Sequence, residues 1–389
     1  MQKILHIRVR FAVALALAAT AFAAQAQMKV GVIASSTGPT AVVGIPQKNT
    51  AALLPKRIGA IDVEYFVVDD ASDVTQSVAA VKRLIPEQNV DVIIGPPGSP
   101  NAMATLQFVA EAKIPMLAPV GAVSVVLPMD EQKRWVFKTT QNDGLIAEAL
   151  VAHMAKKGVK TIGLIALGDA YGEGWVKTFA PLAEKAGMKV TITERFQRTD
   201  QSVLGQVTKI VAANPDAVLV GAAGGSTVLP HVTLVERGYK GQIYQTHGAA
   251  VPDFVRLGGK SVEGAIMAAG SMVLDDKTQI PDSNPSKKVA ADYIAAYEKM
   301  YAPAKAATFG ANVYDAGLLL QRAVPIAAAK GKPGTPEFRS ALRDALEQTK
   351  ELVGTQGVYN MTAADHSGFD KRGRELMQLK EGKWQLIAE

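Results

Sequence analysis

The sequence predicts an α/β fold built from two units, each with a parallel sheet covered by helices. Three observations predict it. Across residues 28–270 short apolar runs alternate with amphipathic segments, the pattern of strands joined by right-handed crossover helices. The apolar runs are continuous rather than alternating, as in Asp91-Val92-Ile93-Ile94, so these strands are covered on both faces. The polar stretch Thr140-Gln141-Asn142-Asp143 interrupts the pattern, and 389 residues with 48% hydrophobic content are more than one core ordinarily holds.

Taken in order, the chain opens with Lys3, Arg8 and Arg10, an apolar run over residues 11–24, and an A-x-A site at Ala24-Gln25-Ala26. A secretory signal over residues 1–26, cleaved after Ala26, is expected, because the apolar run is shorter than the roughly 20 residues a spanning helix needs. Residues 28–34 form the first strand, followed by the polar turn Ser35-Ser36-Thr37-Gly38-Pro39. Residues 63–68 form the next, ending at Asp69-Asp70, a pair read as capping the following loop. Asp73 and Gln76 make a capping-box-like start to a helix with Val74, Val78, Val81 and Ile85 on one face. The strand at 91–94 breaks at Gly95-Pro96-Pro97-Gly98, where Ser99 before Pro100 suits a cap followed by proline at the first helical position. That loop stands at the carboxyl end of a strand, where open α/β sheets bind ligands. Strands at 114–118 and 135–139 complete the first unit.

The second unit repeats the alternation: helix 145–157, strand 161–166, helix 175–186, strand 189–194, helix 203–213, strand 217–220, helix 227–237 and strand 242–245. A Pro/Asp/Ser-rich segment at 275–285 then interrupts it. Two or three long helices follow, one striped by Val289, Tyr293, Ala296, Tyr297 and Met300.

Composition excludes several functions. Loss of the signal lowers the formal net charge from +6 to +3. The calculated isoelectric point of 9.2 does not indicate nucleic acid, since no basic stripe with interleaved aromatics appears. Zero cysteines and five scattered histidines leave no thiolate catalysis, no Cys-based metal site and no H-x-x-x-H pair. No metal or cofactor is expected. Gly259-Lys260-Ser261 is not a phosphate loop, because Phe254 occupies the required first glycine; residues 168–174 do not fit G-x-G-x-x-G; no G-x-S-x-G surrounds Ser99 or Ser226. Asp365-His366-Ser367-Gly368 reads as a turn between two C-terminal strands rather than a metal cluster.

The segments VGVIASSTGPTAVVG, VVDDASD, VIIGPPGS, IPMLAPV, DAYGEGW, LGGKSVEGAI and VYNMTAADHSGFDKRG, in that order and spacing, resemble the type I periplasmic substrate-binding proteins of the leucine/isoleucine/valine-binding family, the receptors of ABC importers. The resemblance implies two Rossmann-like lobes joined by a three-crossover hinge near Thr140, Gly270 and Arg374. It implies one lobe of residues 27–140 plus 271–373, another of 141–270 plus 374–389, and closure over a ligand. It implies ligand contact by Ser99, which would hold a carboxylate, and by Tyr171 from the opposite lobe. The family's binding threonine falls on Ala122, leaving backbone groups of Val120 and Ala122. Its acidic ammonium partner falls on His247, and an aromatic contact falls on Ala223. Thr37 is a further candidate, since the hydroxyls ending the first strand could enter the cleft.

Because a buried ammonium needs a carboxylate partner, and His247 is a poor one, the expected ligand is a small aromatic or aliphatic acid without an amino group. An amino acid remains the alternative, with Asp169 replacing the missing acid. The expected partners are this small-molecule ligand and a membrane permease; a periplasmic, monomeric, non-enzymatic receptor is expected. A ligand-sensing regulator of the same fold is the competing function, disfavoured by the signal. An exported hydrolase would need a nucleophile beside a base, and no such pair is visible.

Overall fold

The computed structural model describes residues 27–274 and 276–388; the expected signal segment lies outside the described residues. Strand β1 (Gln27–Ala34) leads through helix α1 (Ala41–Ala51) to β2 (Arg57–Ile58) and β3 (Ile61–Asp69). Then come α2 (Val74–Gln88), β4 (Val92–Ile94), α3 (Ser99–Glu111), β5 (Met116–Ala118) and β6 (Val136–Lys138). These strands form one sheet in the order β2-β3-β1-β4-β5-β6, parallel apart from the β2–β3 pair.

The chain continues through α4 (Asp143–Lys156), β7 (Thr161–Leu167), α5 (Ala170–Lys185), β8 (Lys189–Phe196), α6 (Leu204–Ala213) and β9 (Ala217–Gly221). It goes on through α7 (Val228–Glu236), β10 (Gln242–Gln245), α8 (Pro252–Gly258) and β11 (Ile266–Ala269). Helices α9 (Ser286–Tyr301), α10 (Thr308–Ala328) and α11 (Pro336–Glu347) follow, then the small pair β12 (Leu352–Val353) and β13 (Val358–Tyr359), and finally β14 (Glu375–Lys380) and β15 (Lys383–Leu386). The second sheet runs β15-β14-β11-β10-β9-β7-β8, parallel except where β14 pairs antiparallel with β11 and β15.

Helices α10 and α11 belong to the first sheet despite their late position: Val313, Leu319, Leu320, Phe338 and Leu342 share one buried cluster with Val30, Val32 and Val92. The chain therefore passes between the halves three times, around Thr140, after Gly270 and around Arg374. Another cluster spans the halves, joining Val43 and Phe309 from one to Phe254, Met267 and Met377 from the other.

Several local expectations need correction. Asp73 does cap α2, accepting from the Gln76 amide at 2.8 Å, but the buried face is Ser77, Ala80, Val81 and Leu84, and Val74 is exposed. On α9 Met300 is likewise exposed, the buried face being Ala290, Tyr293 and Tyr297. Ser99 is not the cap of α3: Gly98 is, and Ser99 is the first helical residue. The one-position shift frees the Ser99 hydroxyl from capping. The Asp69 carboxylate does organise its loop, accepting from the Ser36 and Ala71 amides at 3.0 and 2.9 Å. Asp365-His366-Ser367-Gly368 is a turn, with Thr362 bridged to Asp365 and His366 stacked on Phe137.

One buried acid ties α10 to the first crossover. The Tyr359 hydroxyl lies 3.1 Å from the Thr139 carbonyl and 3.0 Å from Asp315 Oδ2, while Asp315 Oδ1 accepts from the Thr355 amide at 2.8 Å. A single phenolic proton faces two acceptors. A protonated Asp315 resolves this by donating to Tyr359 while Tyr359 donates to Thr139, in accord with burial pushing its carboxyl up to about 7 against the bonds that oppose the shift. Between the usual carboxylate value and pH 7 the native chain thus holds a proton that the unfolded chain releases, so this group's contribution to stability is lost as pH rises through that window. Asp315→Asn keeps the donor at every pH. Its melting temperature relative to wild type should rise progressively from pH 5 to pH 8, and a constant difference would refute the assignment.

Candidate functional site

Parallel strands end together, so the loops following them converge at one edge of each sheet. The two edges face each other across a cavity. Its first wall comes from Pro97 to Ser99 after β4 and Pro119 to Gly121 after β5; its second from Tyr171, Arg198, Ala223, His247 and Gly248 after β7 to β10. Thr140, Gln141, Ala269 and Gly270 of the crossovers, with Gln356, form the floor, and Thr40, Val43, Thr308, Phe309 and Asn312 complete the lining. The cavity volume is about 40 Å³, space for a few waters but below the ~150 Å³ known to admit benzene. A ring-sized solute enters only if the walls part.

The walls meet closely at Gly121. A Cβ there would stand 2.6 Å from Tyr171 Cε2 and 3.0 Å from His247 Nε2, so only glycine lets the two lobes approach this far. Tyr171 presents its ring: its hydroxyl is already committed to Thr246 Oγ1 at 2.9 Å, and burial pushes the phenol well above its ordinary range. His247 lies edge to face with Tyr171 and beside Trp175. Burial, reinforced by the Lys138 charge, pulls its imidazole down to about 3, so it is neutral near pH 7. Its Nδ1 has no hydrogen-bond partner.

Ser99 is buried, and its Oγ accepts from the Ala122 amide at 3.4 Å. This places a hydroxyl and the amino end of a helix at the cavity, a setting that favours an anion. Opposite stands Arg198. Its Nε donates to Asp169 Oδ2 at 2.7 Å and its Nη1 to the Ala223 carbonyl at 3.2 Å. Asp169 in turn caps α5, accepting from the Tyr171 and Gly172 amides at 2.9 and 3.2 Å. The Asp169 carboxylate is thus held by a guanidinium and a helix end, and Asp169 does not line the cavity.

Beneath the first wall lies a buried charge pair. Lys138 Nζ donates to the Gly121 carbonyl, to the Gln141 carbonyl at 3.2 Å and to Asn142 Oδ1 at 2.9 Å. Burial lowers the Lys138 ammonium and raises the Asp143 carboxyl, each shift partly offset by the other's charge. Asp143 Oδ2 accepts from the Val123 amide at 3.3 Å.

Of the residues singled out from the sequence, Ser99, Val120, Tyr171, Ala223 and His247 line the one cavity. Ala122 does not; it is fully buried and touches the site through the bond its amide makes to Ser99. Thr37 is corrected: it is exposed, and its hydroxyl donates to Asp69 Oδ2 at 2.9 Å, which turns it into the loop instead of the cleft. Sequence reasoning missed Arg198, Gln141, Asn312, Phe309 and Gln356. For Arg198 a signal existed, since it closely follows a strand's carboxyl end; Gln356 and Asn312 arrive from segments with no such mark.

A family model for periplasmic binding proteins matches residues 27–383. A leucine-, isoleucine-, valine-, threonine- and alanine-binding protein of Pseudomonas aeruginosa is 22% identical over 248 residues, 61% of this chain and 65% of its own length. Leu/Ile/Val-binding protein homolog 7 of Brucella abortus is 23% identical over 293 residues, 70% of this chain and 71% of its own. An extracellular ligand-binding receptor from Rhodopseudomonas palustris HaA2 superposes with a TM-score of 0.89 at 43% identity, covering 93% of this chain and 100% of that one. An ABC-transporter solute binding protein of R. palustris, solved in complex with benzoate, shares the fold at 20% identity, with a TM-score of 0.76 over 93% of this chain and 95% of its own. The relatives are binding proteins, not enzymes, and the chain belongs to the periplasmic binding protein family.

Proposed function

We propose that the chain is the extracytoplasmic receptor of an ABC importer, and that it captures a small organic acid lacking an amino group between its lobes. One observation carries the reading: among the described residues lining the cavity there is no aspartate or glutamate, while Arg198 is present and Lys138 lies just beneath. A buried ammonium would have no carboxylate partner here, and an unpaired buried charge costs several kcal/mol. An acid instead meets the Ser99 hydroxyl and the start of α3 on one wall and Arg198 on the other. Neutral His247 adds one N–H donor. The acid complexed by the R. palustris benzoate-binding protein is of the same class, which supports the reading at the level of the shared fold.

The lobes in this proposal are residues 27–140 with 271–373, and 141–270 with 374–389. The cavity is too small for a ring with the walls as they stand, which supports entry through an open form and capture by closure. The segment up to Ala26 acts as the export signal, and a membrane permease receives the solute.

Calorimetric titration of the mature chain with benzoate, short aliphatic acids and leucine tests this directly. At least one acid should bind and leucine should not; tight leucine binding without binding of any acid would overturn the proposal. Ser99→Ala should weaken the bound acid about tenfold, the value of one hydrogen bond to a charged group. Arg198→Gln should weaken it at least as much. His247→Glu supplies the missing carboxylate and should shift preference from the acid toward leucine; unchanged selectivity would count against the role given to this position.

A further inference from the structure

The floor of the cavity carries a buried acceptor that nothing in the protein uses. Gln356 is almost wholly buried, and its Oε1 has no hydrogen-bond partner. The orientation of its amide is set by chemistry. Gln356 Nε2 donates to Asn312 Oδ1 at 2.6 Å and to the Thr308 carbonyl at 3.3 Å. A backbone carbonyl only accepts, so the atom facing it must be the amide nitrogen, and the oxygen is left over. That oxygen lies against Gly270 on the cavity floor: a Cβ at Gly270 would come within 2.5 Å of it. Gly270 therefore leaves room for the acceptor where any other residue would displace it.

An unsatisfied buried acceptor is costly, and a ligand that fills it recovers that cost. The neighbouring crossover glutamine does not fill it: Gln141 Nε2 donates one N–H to the Gly373 carbonyl at 2.8 Å, and its other N–H makes no bond to Gln356 Oε1. Gln356, Asn312 and Thr308 all line the cavity, so a solute bound there is placed to supply the missing group in place of water. It must be a donor, and an ammonium is disfavoured by the absence of any lining carboxylate. A hydroxyl satisfies both conditions.

We infer that the ligand is a hydroxy acid, its carboxylate held at the Ser99 and Arg198 walls and its hydroxyl donating to Gln356 Oε1 at the hinge floor. This rests on the acid-receptor reading above and adds the second functional group. The distinction between a parent acid and its hydroxylated form then resides in Gln356, with Gly270 and Asn312 positioning it.

The test is calorimetry on the mature chain with matched pairs, benzoate against the three monohydroxybenzoates and butanoate against its monohydroxy forms. At least one hydroxy acid should bind tenfold or more tightly than its parent, and Gln356→Leu should abolish that preference while the variant retains a cooperative melt. Parent and hydroxy acids binding within twofold of one another would overturn the inference and leave the acid receptor standing. So would a preference that survives in Gln356→Leu. Binding of neither series would instead bring down the acid-receptor reading and this inference with it. Should Gln356→Leu not fold, the wild-type pairs alone decide, and Gln356→Glu, which keeps an acceptor, should retain the preference.

Discussion

Lys138 is a cation with no exposed surface, and the site is arranged around the cost of that burial. Its three hydrogen bonds draw in the Gly121 carbonyl from the loop after β5 and the Gln141 carbonyl and Asn142 side chain from the first crossover. These bonds fix the loops from which the first wall and the floor are made. Its charge also helps keep His247 neutral across the cleft and offsets part of the burial cost of Asp143. Removal of either partner would leave an uncompensated buried charge. The geometry of the cavity is therefore tied to a buried cation that does not itself line it.

The two walls divide the work of recognition. The first offers Ser99 and the start of α3, elements rigidly attached to the sheet. The second offers Arg198, oriented by Asp169, which also caps the helix carrying Tyr171. Anchoring Arg198 in this way spends one face of the guanidinium on the protein and leaves its remaining donors for a partner. Asp169 is engaged by Arg198, whereas Asp143 accepts from the Val123 amide through Oδ2 alone and its Oδ1 has no hydrogen-bond partner.

Much of the fold was legible from local pattern. The strand at Gln242–Gln245 matches its predicted bounds, and Asp73 caps the helix that its spacing to Gln76 indicated. Helix α1 escaped because Pro46 interrupts it and its buried positions include Gln47 and Thr50, so no apolar stripe marks it. The faces of α2 and α9 were misjudged at Val74 and Met300, where an apolar side chain sits in solvent at little cost. Ser99 was placed one residue early, and that shift matters because a capping hydroxyl would have been occupied.

The sequence by itself determined the alternation of strand and helix, the break at Thr140 to Asp143, and the family, since these reside in short-range order along the chain. Its resemblance also pointed to Ser99, Val120, Tyr171, Ala223 and His247, which the fold gathers around one cavity. Only the tertiary structure could turn Thr37 away toward Asp69, seat Arg198 on Asp169, bury Lys138 under Gly121, and bring Gln356 beside Gly270. The reason is distance along the chain. Hydrogen bonds and ion pairs between residues tens to hundreds of positions apart leave no periodic trace, and in this protein those contacts decide the chemistry of the cleft.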